Sequence, residues 1–491
     1  MRCVLFSSVE TFQHAIEDTF YLRQSVLEQV YFSVVRTVGL KMRLTHSFVL
    51  FALAGALSGA MCRAESPRKC RVEPVRFGGW NAQQVSNDWV ALTIVPQLGG
   101  RLMQVAFHGH NYLFVNPKLE GKYFPPTPSK WFNYGGDKIW PLPEGSGDDQ
   151  HWPGPIADVL DDGEYAFTVL SRGETCKVRL EGQSDPKTGL QYSRDISLQS
   201  DSPGIHFDAT MKNASQRTIR WSMQSVSQYD LASEENPLKL NPKFFAFTAA
   251  NPKTAYEDGY RLRLGQAEDT AVGVKNGLFT LHYNSFQREI WVDSTDGWLA
   301  LVDGSSKFAM VEKFPHENEE YPGKATVIFY TNGPAVEFNA DGVPHLTASD
   351  PANMPFYMEA EVNSPMISLQ PGETYTLRTS WFPTRSGETL QSVAPAGVVN
   401  EPLRAQWESN GLRLSGLFGV FQSGELTAYF YDDKDGEAGL AGVQRVSPAE
   451  LVQLQSIVTP PHGSTRVVLH VMSNLVDRGV LAETSFEPRG N

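Results

Sequence analysis

Along most of its length the chain repeats one pattern: a short run of alternating apolar and polar residues, then a cluster of Gly, Pro, Asn, Asp or Ser. Between residues 166 and 221 this gives five expected strands, at 167–170, 177–182, 190–198, 205–213 and 218–221. Their turns are Gly182-Gln183-Ser184-Asp185-Pro186, Ser200-Asp201-Ser202-Pro203-Gly204 and Asn213-Ala214-Ser215. Successive side chains of an extended backbone point to opposite faces, so such runs bury one face against a second layer. Further strands are expected at 89–95, 101–107, 112–116 and 325–332. Few helical patterns interrupt them, which argues against a TIM barrel or a Rossmann fold. The expected class is all-β.

With 491 residues there is room for two or three domains, or one large β domain with an appendage. A formal charge of −13 argues against sequence-independent nucleic-acid binding, which needs a basic face. The 17 Tyr, 10 Trp and 28 Phe suit a β-rich core, and they also suit rings stacked on the CH faces of a sugar.

Lys41, Arg43 and His46 precede an apolar run at 48–61, then Cys62-Arg63-Ala64. A positive start, a short apolar middle and small residues before the break describe an export signal cleaved after Ala64, with Met42 a candidate start. The run is too short for a confident membrane span. Cys3 and Cys62 would leave with this segment, and Cys70 and Cys176 would remain, either paired or as two buried thiols. No C-x-x-C, zinc spacing or nucleotide loop occurs, so no cofactor or metal is expected.

Chemistry concentrates in residues 354–383, which read as strands at 357–362 and 374–381 joined through a Pro371-Gly372 corner. Alternation places Tyr357, Glu359 and Glu361 on one face, opposite Met358, Ala360 and Val362. On a partly dry concave face one of these acids would have a raised pKa, as a general base needs; on an edge strand both would simply face water. The segment Tyr134-Gly135-Gly136-Asp137-Lys138-Ile139-Trp140-Pro141-Leu142-Pro143-Glu144 is too rich in Gly and Pro for a strand interior. Its Gly pair lets backbone approach a ligand, Trp140 offers a stacking face, and Asp137 or Lys138 can bond hydroxyls; the alternative is a structural loop whose Trp plugs the core. His151, beside Trp152, is a further candidate, against the reading of an exposed loop histidine. Arg194 sits on a strand next to Asp195, where a surface ion pair is the commoner case.

These motifs, in order, resemble the galactose-mutarotase-like superfamily, and more narrowly the DUF4380 proteins. The resemblance rests on Pro96-Gln97-Leu98-Gly99-Gly100-Arg101, the Gly135-Gly136 to Pro141 segment, and the glutamate strand followed by Leu369-Gln370-Pro371-Gly372-Glu373. It covers residues 72–385 and implies a β-supersandwich with a ligand groove on the concave face of one sheet. It also implies a sugar or oligosaccharide ligand and an exported epimerase or mutarotase-like activity. Glu361 or Glu359 would be the base, His151 the acid, and Asp137, Lys138, Trp140, Arg194, Gln224 and Lys313 would hold the substrate. The pattern departs at one point: where the superfamily carries a catalytic histidine, this chain has Gln224 and Gln228, and glutamine is no acid. A non-catalytic carbohydrate-binding protein is therefore the alternative. After Pro383 the texture changes, with a linker expected at 386–401 and a small β-sandwich at 402–491. Asp432-Asp433-Lys434-Asp435-Gly436-Glu437 reads as a hairpin turn rather than a calcium loop.

Overall fold

The alternating runs become two large antiparallel sheets packed face to face. A computed structural model describes residues 69–488 apart from 126–129, 156–158, 266–269, 285, 335, 339–343 and 347–354. The expected export signal, with Met42, Cys3 and Cys62, lies outside the described residues. Among those described, no helix is long and apolar enough to cross a membrane.

At the centre of a twelve-stranded sheet lie, side by side, Asp137–Leu142, Ile219–Asp230, Tyr357–Asn363, Val327–Thr331 and Arg288–Val292. Opposite it, a ten-stranded sheet aligns Trp298–Asp303, Phe308–Lys313, Thr374–Arg385, Ile205–Asn213 and Leu190–Gln199. Their inner faces share one apolar core. Met358, Ala360 and Val362 from the first sheet meet Phe207, Leu377 and Trp381 from the second, all nearly inaccessible to solvent. Tyr229 of the first sheet lies 6.5 Å, ring to ring, from Trp381 of the second. Cys70, just before the strand Arg71–Phe77 of the first sheet, is disulfide-bonded to Cys176 in Thr175–Ser184 of the second.

The two strands expected around Pro371-Gly372 form, but not as a hairpin. Tyr357–Asn363 pairs with Ile219–Asp230 and Val327–Thr331, whereas Thr374–Arg385 pairs with Ile205–Asn213 and Phe308–Lys313 in the other sheet. Each strand carries an apolar inner face, so the chain buries both by crossing the sandwich rather than folding back within one sheet. Ile367–Leu369 pairs with the start of Ile219–Asp230 on the way.

Polar groups bridge the two layers. Tyr229 Oη donates to Glu312 Oε1 at 2.6 Å, and Glu312 is 1% exposed. Burial, and then the nearby Asp137 charge, push the Glu312 carboxyl up to about 8 from an ordinary 4.5. The folded chain holds this proton in a range where the unfolded chain releases it, so stability should fall as pH rises from about 4.5 to about 8 and level off above. Asp162, pushed to about 8, and Asp230, to about 6, act with the same sign. Urea midpoints against pH should show this decline, with a shallower slope in Glu312→Gln.

Beyond the sandwich, two four-stranded sheets enclose a second core of Leu412, Leu414, Leu426, Phe430, Val467 and Leu469. The linker expected at 386–401 is not one: it contains the strand Ser392–Ala394 and the first residues of Gly397–Glu408. Ser386, Val398 and Asn400 are buried there, and Val398 joins Phe247, Trp298, Val311 and Phe421 in an apolar junction with the ten-stranded sheet. Its polar, Gly-bearing composition reflects side chains bonded to backbone, such as Asn400 Nδ2 to Thr389 O at 2.6 Å. The acidic run at 432–437 is the expected turn, its Asp432 Oδ1 accepting from the Lys434 and Gly436 amides.

Candidate functional site

Strand register assembles the site. Gln228 lies opposite Glu359, and Tyr330 lies opposite Glu359 from the other side. Val226 and Ile328 flank Glu361 in the same way, and Glu289 lies opposite Tyr330. Directly paired residues share a face, so Lys138, Trp140, Gln224, Gln228, Tyr357, Glu359, Glu361, Tyr330 and Glu289 occupy the side of the sheet away from the core.

Above this face is a cavity of about 310 Å³ lined by Trp131, Trp140, Glu144, Pro153, Gly154, Pro155, Tyr330, Tyr357 and Glu359. Glu359 Oε1 accepts from Lys138 Nζ at 3.2 Å and from Gln228 Nε2 at 2.6 Å. Glu361, 6% exposed, accepts from Gln224 Nε2. Burial raises the Glu361 carboxyl well above its ordinary range, and the charges of Glu359 and Glu289 add to this. Glu144 stands at the rim and is raised too, by desolvation first and then by Glu289 and Glu359. Lys138 moves down, because burial opposes its charge more than Glu359 supports it. Its Nζ lies 4.4 Å from the centre of the Trp140 ring.

One carboxylate orients two walls of the cavity. Asp161 Oδ2 accepts from Trp131 Nε1 at 2.8 Å, and its Oδ1 accepts from Trp140 Nε1 at 2.6 Å. Arg101 Nη2, fully buried, donates to the same Oδ1 at 2.8 Å. Asp161 sits on the single helical turn Val159–Asp162, against which Gly99 packs with φ +65°. A Cβ at Gly99 would fall 1.7 Å from the Asp161 carbonyl oxygen, so a glycine at this position is what admits the helical turn. Asp161→Ala should cost about 3–5 kcal/mol in urea unfolding, since it strips a buried guanidinium of its main partner. It should also shift tryptophan emission, as two indoles lose their acceptor.

Several expected site residues lie elsewhere. Asp137 and Lys138 are adjacent on one strand, so they face opposite ways; Lys138 takes the cavity side and Asp137 the core. There Asp137, 0% exposed, is bonded by Arg194 Nη1 and accepts from Ser227 Oγ at 3.2 Å. Arg194 thus reaches across the sandwich from the ten-stranded sheet, its guanidinium 4.3 Å from the Phe207 ring centre. These two staple the layers rather than hold a ligand in the cavity.

Lys313 also belongs to the ten-stranded sheet and turns to the C-terminal sheets, where Nζ donates to Ala394 O and Pro395 O at 3.1 Å each. Burial between the Phe382 and Phe421 rings lowers it to about 8. The His151 side chain is 43% exposed, its Nδ1 2.8 Å from Asp148 Oδ1, and it lines a second surface hollow with Lys187 and Arg217. Gly135 and Gly136 do not bring backbone to the ligand: a Cβ at Gly135 would fall 2.1 Å from Phe114 O, so the close approach is to a neighbouring segment.

Trp131, Glu144, Tyr330 and Asp161 were not anticipated as site residues. Tyr330 had a signal, a polar-tipped ring alternating with Phe329 along an expected strand. Asp161-Asp162 had none, since paired acids usually signal a solvated surface.

No family model matches the sequence, and no curated protein matches it. Solved structures that resemble it include a galactose mutarotase-like protein from Clostridium acetobutylicum, at 9% identity and TM-score 0.40, covering 65% of this chain and 99% of that one. Another is a galactose mutarotase-like protein from Lactobacillus casei, at 9% identity and TM-score 0.39, covering 61% and 99%. A TPR-domain containing protein from Parabacteroides distasonis matches at 15% identity and TM-score 0.42 over 64% of this chain. The chain spans about half (48%) of the length of that last protein.

Proposed function

We propose that the chain is an exported carbohydrate-active protein that binds a pyranose in this cavity and exchanges its anomers. The carrying observation is that two carboxyl groups, Glu359 on the floor and Glu144 at the rim, share one cavity walled by Trp131, Trp140, Tyr330 and Tyr357. Aromatic rings stack on the CH faces of a sugar, and carboxylates accept its hydroxyls. Glu359 takes the proton of the anomeric hydroxyl. Glu144, raised by desolvation and its acidic neighbours, gives a proton to the ring oxygen as the C1–O5 bond breaks. Rotation about C1–C2 and the reverse transfers close the ring in the other configuration. Glu144 would fill the role first expected of His151. The motif order that resembles DUF4380 proteins fits this reading. The Cys70–Cys176 bond fits an oxidising destination such as the periplasm or the exterior.

A second reading is a carbohydrate-binding protein without chemistry. It is favoured by the cavity lining, which among the described residues holds no histidine. Exchange NMR of purified protein with a panel of aldoses separates the two. Cross-peaks between anomers that exceed the buffer control support catalysis; binding at unchanged exchange supports the second reading.

A further inference from the structure

We propose that the preferred ligand of this cavity is a cationic sugar, a hexosamine with a free protonated amine, rather than a neutral, N-acetylated, uronic or phosphorylated one. This rests on the reading of the cavity as a sugar site and names its substrate class. The first support is the balance of charge. Glu144 and Glu359 line the cavity, and Glu361 and Glu289 share the sheet face with Glu359. The nearby cations are Lys138, 3% exposed and already given to Glu359, Arg101, fully buried and given to Asp161, and Arg263, 3.9 Å from Glu289; none of them lines the cavity.

The second support is an unpaired acceptor behind Glu359. Gln228 is 0% exposed; its Nε2 donates to Glu359, while its Oε1 is buried with no hydrogen-bond partner. A buried acceptor left unpaired is costly, and this one leaves the floor beneath Glu359 short of a donor, although Gln228 itself does not line the cavity. An ammonium group offers three donors and no acceptor, which matches the carboxylates of the lining. The third support is the ring set. Trp131, Trp140, Tyr330 and Tyr357 line the cavity, and aromatic rings attract a cation but not a carboxylate or a phosphate group. Glu361 and Glu144, raised by burial first and then by the charges of their acidic neighbours, are relieved when a positive charge enters beside them.

Titration calorimetry of the full chain at pH 7 and low salt tests this with glucosamine, galactosamine and mannosamine. Their N-acetyl forms, glucose, galactose, glucuronate and glucose 6-phosphate are the comparison set. The expected result is that one free hexosamine binds about tenfold tighter or more than its neutral and N-acetyl counterparts. The anionic sugars should bind weakest, and added salt should narrow the gap. Glu289→Gln, outside the cavity lining, should reduce the preference for the amine while circular dichroism stays unchanged. Equal or tighter binding of a neutral sugar overturns the charge preference and leaves the sugar-site reading standing. Equal binding of a simple amine such as methylammonium overturns the sugar part. No binding by any sugar in the panel overturns both.

Discussion

Glu359→Gln should slow anomer exchange by roughly 10²–10⁴-fold while changing sugar affinity by much less, because general acid–base groups contribute on that scale to rate. The substitution keeps the size and planarity of the side chain in a site that leaves it 7% exposed. Gln228 and Lys138 still meet an oxygen there. What is lost is the negative charge that accepts a proton, and with it the counter-charge of buried Lys138, whose pKa should fall further. Glu361→Gln is the informative contrast. Glu361 shares the face but does not line the cavity, and its carboxyl is already raised. Its loss should slow exchange far less. Two-dimensional exchange NMR on both variants, with calorimetry for affinity, decides the matter. A Glu359→Gln protein that exchanges anomers at the wild-type rate removes the proposed base.

Replacing Cys70 and Cys176 together by alanine should lower the unfolding free energy by about 3–5 kcal/mol, as a closed loop on the order of 100 residues does in the chain-entropy treatment. The two residues are separated by 106 positions, and the bond joins the start of one sheet to the other. Nothing covalent besides the backbone then ties that first strand to the opposite layer. Urea melts of wild type with and without reductant should show the same loss as the double variant, and the variant should no longer respond to reductant. A loss below about 1 kcal/mol would show that packing alone holds the first strand in place.

Local regularities were legible in the sequence. Period two placed Glu359 and Glu361 on one face and Met358, Ala360 and Val362 on the other, because alternation needs only the neighbouring residues. Which strand pairs with which depends on distant segments. Thus 357–362 and 374–381 read as neighbours when they lie in opposite sheets. Asp137 and Lys138 show another limit: Gly and Pro argued against a strand interior at 134–144, yet Asp137–Leu142 is a central strand, so the alternation that separates the two residues was not read there. The pairing of Arg194 with Asp137 across the sandwich had no local trace, since Asp195 offered a nearer partner in sequence, one that Arg179 takes instead. Lys313 and the 386–401 stretch were misplaced for a common reason: the C-terminal sheets cover a face that composition alone leaves open.

The clamp of Asp161 on two indoles bears on how this protein can be re-engineered. Trp131 and Trp140 are not free positions: removing Trp131 takes the indole donor from Asp161 Oδ2, and removing Trp140 leaves Oδ1 to Arg101 alone. Tyr330 and Glu144 have no tie to that carboxylate. A library aimed at new ligand preference should therefore randomise Tyr330, adding Glu144 where binding alone is wanted, and leave the tryptophan pair as a fixed chassis.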